Sequence, residues 1–319
     1  MSDSRPVLVS GIKPTGDLHI GNYFGAMRQF VDLTKAGKYR PFIFVADYHA
    51  LNTIQDAEEM RRRTREIVMA YIAVGLDPKD VVFFKQSDIP AHTELCWIFD
   101  TITTMPYLMR AHAYKDAVAK DAEINVGTFN YPMLMAADIL LYDAAIVPVG
   151  ADQKQHIEYA RDTAEKFNRV YKTDVFKLPE PYIMPNVAVV PGTDGQKMSK
   201  SYRNVIPLFA SHDELAKAVM GIRTDSNGER PENVFAIHKL VKDEGELGLL
   251  YEEHRGNYKM LKETLIDDLE RYLAPMRAKY EELKQDSDIV DDVLAKGKIE
   301  ARAISGAKME EVRKAIGVA

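Results

Sequence analysis

The sequence predicts an α/β protein: a doubly wound parallel sheet followed by an all-helical C-terminal domain. Three observations carry that prediction. Short, continuous apolar runs alternate with stretches of helical spacing as far as about residue 200. Glycine-bearing polar clusters stand at the carboxyl ends of two of those runs. Strand-like runs then disappear after Ser201.

Val7-Leu8-Val9, the run 41–46 with Phe42-Ile43-Phe44-Val45, and Val81-Val82-Phe83-Phe84 are apolar, β-branched or aromatic throughout. Strands covered on both faces read this way, whereas half-exposed strands alternate. Between the second and third run, 56–74 starts charged and then places Ile67, Tyr71 and Val74 at helical spacing, as a crossover helix requires. Ile146-Val147-Pro148-Val149 and Val187-Ala188-Val189-Val190 supply two later strands. The stretch of about 90–131 is too long for a simple crossover and reads as an insertion, with one helix marked by Leu95, Ile98 and Ile102. Beyond Ser201, 213–220 reads as a helix. So does 260–283, with Leu261, Leu265, Leu269 and Tyr272 in register and a kink expected at Pro275. These readings divide the chain into a sheet domain, 1–205, and a helical domain, 206–319.

A length of 319 residues suits one large α/β domain and a smaller second one. The net charge of -6 argues against a uniformly basic nucleic-acid surface, but steering depends on local patches. Arg61-Arg62-Arg63-Thr64-Arg65 is one such patch, and it equally fits the solvated face of a helix. Cys96 is the only cysteine, which excludes an intrachain disulfide and a cysteine-based zinc site. No uncharged apolar run approaches the roughly 18 residues of a membrane span, and the N-terminus lacks signal-peptide character. A cytoplasmic protein is expected.

Four segments carry chemistry. In the first, a strand ending at Ser10 leads through Gly11 and Pro14-Thr15-Gly16 to His19-Ile20-Gly21-Asn22, which opens a helix. Glycines allow close approach of a phosphate, the helix N-terminus presents free N–H groups, and His19 and Asn22 add donors on one face. An ordinary strand–turn–helix corner also fits. Neither GxGxxG nor GxxxxGK[ST] is present there. In the second, Lys197-Met198-Ser199-Lys200-Ser201 follows the turn-rich Pro191-Gly192-Thr193-Asp194-Gly195. Two ammonium groups on such a loop suit a leaving phosphate group; a solvated basic loop is the alternative. In the third, Tyr131, Met135 and Asp138 share one face of an apolar helix. A carboxylate there needs a partner, either a polar ligand atom or a neighbouring backbone group. In the fourth, Val147-Pro148-Val149-Gly150-Ala151-Asp152-Gln153 closes a strand with polar groups, where doubly wound sheets bind ligands. Gly150 and Asp152 are placed to meet a ribose. Gln153 with His156 makes only a weak metal site, and His49 in Asp47-Tyr48-His49 fits a satisfied core histidine equally well.

The first two segments, in this order, match the HIGH and KMSKS signatures of class I aminoacyl-tRNA synthetases. Over nearly its whole length the chain resembles the bacterial tryptophanyl-tRNA synthetases, through Ser10 to Tyr23, Asp47 to Ala50, Gln86 to His92, Tyr131 to Tyr142, Val147 to His156 and Lys197 to Ser201. The resemblance implies a Rossmann-like catalytic domain and a helical domain that contacts the tRNA anticodon. It implies catalytic roles for His19, Asn22, Lys197 and Lys200. ATP contacts would come from Lys13, Pro14, Thr15, Gly21, Asn22, Gly150, Ala151, Asp152, Ala188 and the loop Lys197, Met198, Ser199, Lys200, Ser201. Asp138 would accept the indole N–H, with Val9, His49, Tyr131, Met135, Ile139, Val147, Val149 and Gln153 around it. The partners implied are L-tryptophan, ATP with Mg²⁺, tRNA(Trp) and a second copy of the chain, with no zinc and no membrane. Three positions depart from the family: Lys13 stands where glutamine is frequent, Val9 replaces a phenylalanine under the indole, and Ala117 falls where an ATP-contacting lysine is expected, with Lys115 and Lys120 nearby. The related tyrosyl enzymes commonly carry glutamine at the Met135 position. They, and nucleotidyltransferases of the same superfamily, are the rival readings.

Overall fold

The computed structural model describes residues 3–14, 16–119, 123–149, 154–183, 189–224 and 230–319. Among the described residues five strands, β1 (Val7–Ile12), β2 (Arg40–Val45), β3 (Val82–Lys85), β4 (Ile146–Val149) and β5 (Glu180–Ile183), form one sheet in the order β3-β2-β1-β4-β5. Every pair is parallel. The chain winds outward from β1 to β3, returns to β4 beside β1, and winds outward again to β5. This is the doubly wound sheet that the sequence predicts, with its switch point between β1 and β4.

The continuous apolar runs have the expected cause. Along β2, Ile43 and Val45 join one core while Phe42 and Phe44 join the other. Leu8 and Val9 of β1 divide in the same way, as do Phe83 and Phe84 of β3. Successive side chains point to opposite faces, and helices cover both. The crossover helix is Ala57–Ala73, started by Asp56, whose carboxylate accepts from the Glu59 N–H at 2.7 Å.

One expectation needs correction. Val189 and Val190 are not in a strand, and residues 187 and 188 lie outside the described residues. The fifth strand is Glu180–Ile183 instead, where Pro181 is tolerated because the strand lies at the sheet edge. The end of the proposed insertion at residue 131 falls inside the helix Val126–Leu140, so the segment after Pro90 runs as helices directly into the site.

Among the described residues after Tyr202 the regular elements are all helices: His212–Met220, Glu232–His238, Glu244–Glu253, Tyr258–Gln285 and Ser287–Ile316. Ser211 and Glu214 form a capping box at the first of these. Ile206, Leu208, Leu215, Leu261 and Leu265 share a core with Leu8, Ile20 and Phe24 of the sheet segment. The last helix returns to the sheet and lies against β3. Its closest approach is at Gly297, where a β-carbon would overlap the Phe83 carbonyl. It is tied there by Arg313 to Glu94 (2.7 and 2.6 Å) and by Arg302 Nε donating to the Asp88 carbonyl at 2.8 Å. An otherwise open strand edge is thereby covered. Among the described residues no helix is long and apolar enough to cross a membrane.

Candidate active site

A cleft of about 1080 Å³ opens at the carboxyl ends of β1, β2 and β4, at the switch point of the sheet. Val9 and Lys13, then His19, Gly21 and Asn22, line it from the first motif; His49, Tyr131, Met135, Asp138, Ile139 and Val147 line its apolar end. The loop residues Lys197, Met198, Ser199, Lys200 and Ser201 complete it. Segments far apart in sequence thus meet in one cavity. Pro14 does not line the cleft; it lines a neighbouring pocket of about 190 Å³ with Gly16, Arg63 and Tyr280. Thr15, Gly150, Ala151, Asp152, Gln153 and Ala188 lie outside the described residues, as do Lys120 and the side chain of Val149. Lys115 lies on the helix His112–Ala119 and is not among the described residues lining the cleft.

At one end the chain leaves β1, turns at Gly16 in the left-handed region (φ 57°) and enters a helical run at Ile20. The His19 N–H is accepted by Asn22 Oδ1 at 3.1 Å, which leaves the Asn22 amide NH₂ as a donor. His19 is buried, and its Nδ1 makes no hydrogen bond among the described residues. Burial, with the Lys200 charge adding to it, lowers its pKa to about 4. The ring is therefore neutral at pH 7, so positive charge at this end comes from lysines. A β-carbon at Gly21 would lie 2.8 Å from His19 Nδ1 and 3.2 Å from Met198 Cβ, so only glycine fits between the ring and the loop.

The loop is a narrow hairpin. The Met198 N–H donates to the Val190 carbonyl at 2.9 Å and the Gly192 N–H to the Gln196 carbonyl at 2.6 Å, with Gly195 at φ 84° in the turn. The Met198 side chain is buried in the core and anchors the loop. Asn204, also buried, holds it from behind: Oδ1 accepts from the Ser199 N–H at 2.8 Å, and Nδ2 donates to Asp194 Oδ1 at 2.7 Å and to the Lys197 carbonyl at 3.2 Å. Lys200 reaches across to the first motif, where a β-carbon on Gly16 would lie 2.7 Å from its Nζ. Burial lowers the pKa of Lys200, Asp17 opposes that, and Arg63 adds to it. Burial lowers that of Lys13 as well.

At the other end Asp138 is 2% exposed, and its partners are side chains rather than backbone. Oδ2 accepts from His49 Nε2 at 2.9 Å; Oδ1 accepts from Gln86 Nε2 at 2.7 Å and from His92 Nδ1 at 2.6 Å. Burial alone would raise its pKa, but the hydrogen bonds from His49 and His92 outweigh that and hold it at about 2. His49 is therefore both a satisfied core histidine and a wall of the cleft. Tyr131 stands edge-on to His49 (centroids 6.3 Å apart) and meets His156 Nε2 through its hydroxyl at 2.7 Å. Phe44 lines the cleft and packs against Gly11 of β1, so aromatic surface is present at this end although position 9 is valine. A cleft with an ionised acceptor among apolar walls at one end and a cationic rim at the other can receive an aromatic N–H at the first and polyphosphate at the second. Among the described residues no group of three or more His, Cys, Asp or Glu side chains converges as a metal site does.

Sequence reasoning assigned no role to Gln86, His92, Tyr142 or Asn204. The first three stand in segments that match the resembled family, and that was their only signal.

The geometry agrees with what the chain is similar to. The family model for tRNA synthetases class I (W and Y) matches residues 1–290. The tryptophan–tRNA ligase of Fusobacterium nucleatum subsp. nucleatum is 46% identical over 318 residues, covering 97% of each chain. That of Campylobacter jejuni is 43% identical, covering 98% of this chain and 99% of its own. The crystal structure of tryptophanyl-tRNA synthetase from Campylobacter jejuni complexed with ADP and tryptophan superposes with a TM-score of 0.90 at 42% identity, over 98% of this chain and 99% of that one. The chain belongs to the class I tRNA synthetase family for tryptophan and tyrosine.

Proposed function

We infer that the chain is a tryptophan–tRNA ligase. It joins L-tryptophan to ATP, giving tryptophanyl-AMP and pyrophosphate, and then transfers tryptophan to tRNA(Trp). The observation that carries this reading is the buried, ionised Asp138 at the apolar end of a cleft whose other end holds His19 and the Lys197–Ser201 loop. An indole N–H is a donor only, and one carboxylate oxygen satisfies it. Met135, Ile139, Val147 and Val9 give the ring an apolar setting, with Phe44 supplying the aromatic face that Val9 lacks.

In this reading the tryptophan carboxylate oxygen attacks the α-phosphorus of ATP, the bond to the bridging oxygen breaks, and pyrophosphate leaves with the electron pair. Charge grows on the phosphate oxygens as this happens. The neutral His19 ring and the Asn22 amide donate to them without adding charge, while Lys197 and Lys200 stabilise the leaving group. Lys13, Gly21, Met198, Ser199 and Ser201 line the same end; Thr15, Gly150, Ala151, Asp152 and Ala188 complete the ATP contacts in the family pattern, whereas Pro14 faces the neighbouring pocket and is left out of them. Mg²⁺ would be held through the triphosphate, since among the described residues the phosphate end of the cleft is lined by lysines and by no carboxylate. The helical segment 206–319 carries the anticodon-contacting surface, and the enzyme works in the cytoplasm. The test is ATP–pyrophosphate exchange with each standard amino acid. Label should enter ATP with tryptophan and Mg²⁺, and tRNA(Trp) should then be charged; no tryptophan-dependent exchange would overturn the reading.

The active form is a homodimer. Trp97 (70% exposed), Met105 (62%) and Met109 (40%) stand on the neighbouring helical segments after Pro90, and a second copy is the occupant that the family resemblance suggests. Sedimentation should give twice the chain mass, and replacing Trp97 and Met105 together with glutamate should shift it toward the monomer. An unmodified protein that sediments as a monomer at micromolar concentration contradicts this.

A further inference from the structure

The Asp138 carboxylate can accept about four hydrogen bonds, two at each oxygen. Among the described residues three are taken. Oδ1 holds Gln86 Nε2 and His92 Nδ1, so it is full, while Oδ2 holds only His49 Nε2. One acceptor position is left, on Oδ2. His92 is fully buried and is fixed at both ring nitrogens, since its Nε2 lies 2.9 Å from the Tyr142 hydroxyl. A carboxylate only accepts, so Nδ1 must carry the hydrogen given to Asp138. Nε2 can then accept from Tyr142, whose burial beside Asp138 keeps its hydroxyl protonated. Phe44 and Phe84 pack against the imidazole (centroids 5.7 and 6.3 Å) and leave it little room to turn.

We propose that His92, backed by Tyr142, is a specificity-determining positioning residue: it fills and fixes Oδ1 of Asp138, so that the remaining acceptor position on Oδ2 is kept for the ligand's indole N–H. The proposal rests on the tryptophan reading of the cleft and adds to it which oxygen is used and what holds it. His92 acts through Asp138 and touches no reacting atom. The Tyr142–His92–Asp138 chain works as the second layer of partners works at other recognition sites, locking the tautomer and the orientation of the group that meets the ligand.

The test compares tryptophan with its benzothienyl analogue, in which sulfur replaces the N–H at nearly constant shape. Binding is measured by calorimetry for the unmodified protein, His92→Leu and His92→Asn. The asparagine amide places a donor near the position of Nδ1, so it should keep the preference for tryptophan within about threefold. His92→Leu should lower that preference by about tenfold or more, as losing one positioned hydrogen bond does, with ATP affinity unchanged. Full preference in a folded His92→Leu, or equal loss of tryptophan and ATP binding, overturns the proposal. A second reading needs no variant. The ¹⁵N NMR signals of the His92 ring in the unmodified protein should show Nδ1 protonated and Nε2 bare, and the opposite tautomer overturns the proposal even if His92→Leu fails to fold. Failure of the unmodified protein to bind tryptophan would instead refute the functional reading, while the tautomer still tests the geometry.

Discussion

Replacing Lys197 and Lys200 together with alanine is expected to slow tryptophanyl-AMP formation by roughly 100-fold to several thousand-fold while tryptophan still binds. Loss of one charged transition-state contact typically costs a few kcal/mol, roughly 100-fold or more, and here two such contacts go. The ammonium of Lys200 already sits over the Gly16 turn, so the loop spans the end of the cleft where the leaving phosphates would lie. The loop should survive the change, because its frame is made by Asn204 and the buried Met198 rather than by the lysines. Tryptophan affinity should survive as well, since the Asp138 network is at the other end of the cleft. Single-turnover formation of the adenylate, with calorimetric tryptophan binding beside it, separates the two effects. A double variant that forms adenylate at a near-normal rate contradicts the role given to the loop.

Gly297→Val is expected to destabilise the fold by about 3 kcal/mol or more, the scale of a severe overpacking at a rigid contact. The obstacle is backbone, the Phe83 carbonyl and its neighbouring atoms, so no rotamer change relieves it. Gly306 lies further along the same helix with nothing within 4 Å of its β-carbon position. Gly306→Ala should therefore be neutral or stabilising by roughly 0.5–1 kcal/mol from helix propensity alone. Urea midpoints for the two variants test the account, and equal midpoints would show that the last helix does not depend on its approach to β3.

That contact also marks where the sequence is hard to read. Strands β1 to β4 were legible because both of their faces are covered, which leaves unbroken apolar runs. Strand β5 was not, since Glu180-Pro181-Tyr182-Ile183 is an edge strand with a proline and a charge, while the more strand-like Val189-Val190 serves as one arm of the lysine-bearing hairpin. The return of the last helix left at most an ambiguous trace in the sequence: a mid-helix glycine costs about 1 kcal/mol, but of Gly297 and Gly306 only the first has a packing reason. At the site, His19, Gly21, Asn22, Asp138 and Lys197 to Ser201 announce themselves through local chemistry. Gln86 and His92 do not, because their bonds to Asp138 span 52 and 46 residues and no short-range pattern encodes them. Asn204 reads as a loop residue until its three hydrogen bonds show it clamping the hairpin.

The most direct test of the central claim is kcat/KM in ATP–pyrophosphate exchange for tryptophan and for tyrosine with the unmodified enzyme. Asp138 is ionised and already holds His49, Gln86 and His92, so it offers acceptance only and suits an indole N–H. The family model covers both amino acids, and we place the choice between them at Tyr131, Met135 and Asp138, which line the apolar end of the cleft. Met135 presents an apolar, polarizable surface in place of the glutamine common in tyrosyl enzymes. Tyrosine would underfill the cleft and leave polar groups imperfectly paired, and sites of this kind discriminate by several orders of magnitude. Tryptophan should be preferred by about 1000-fold or more. Equal values, or a preference for tyrosine, would contradict the assignment to tryptophan.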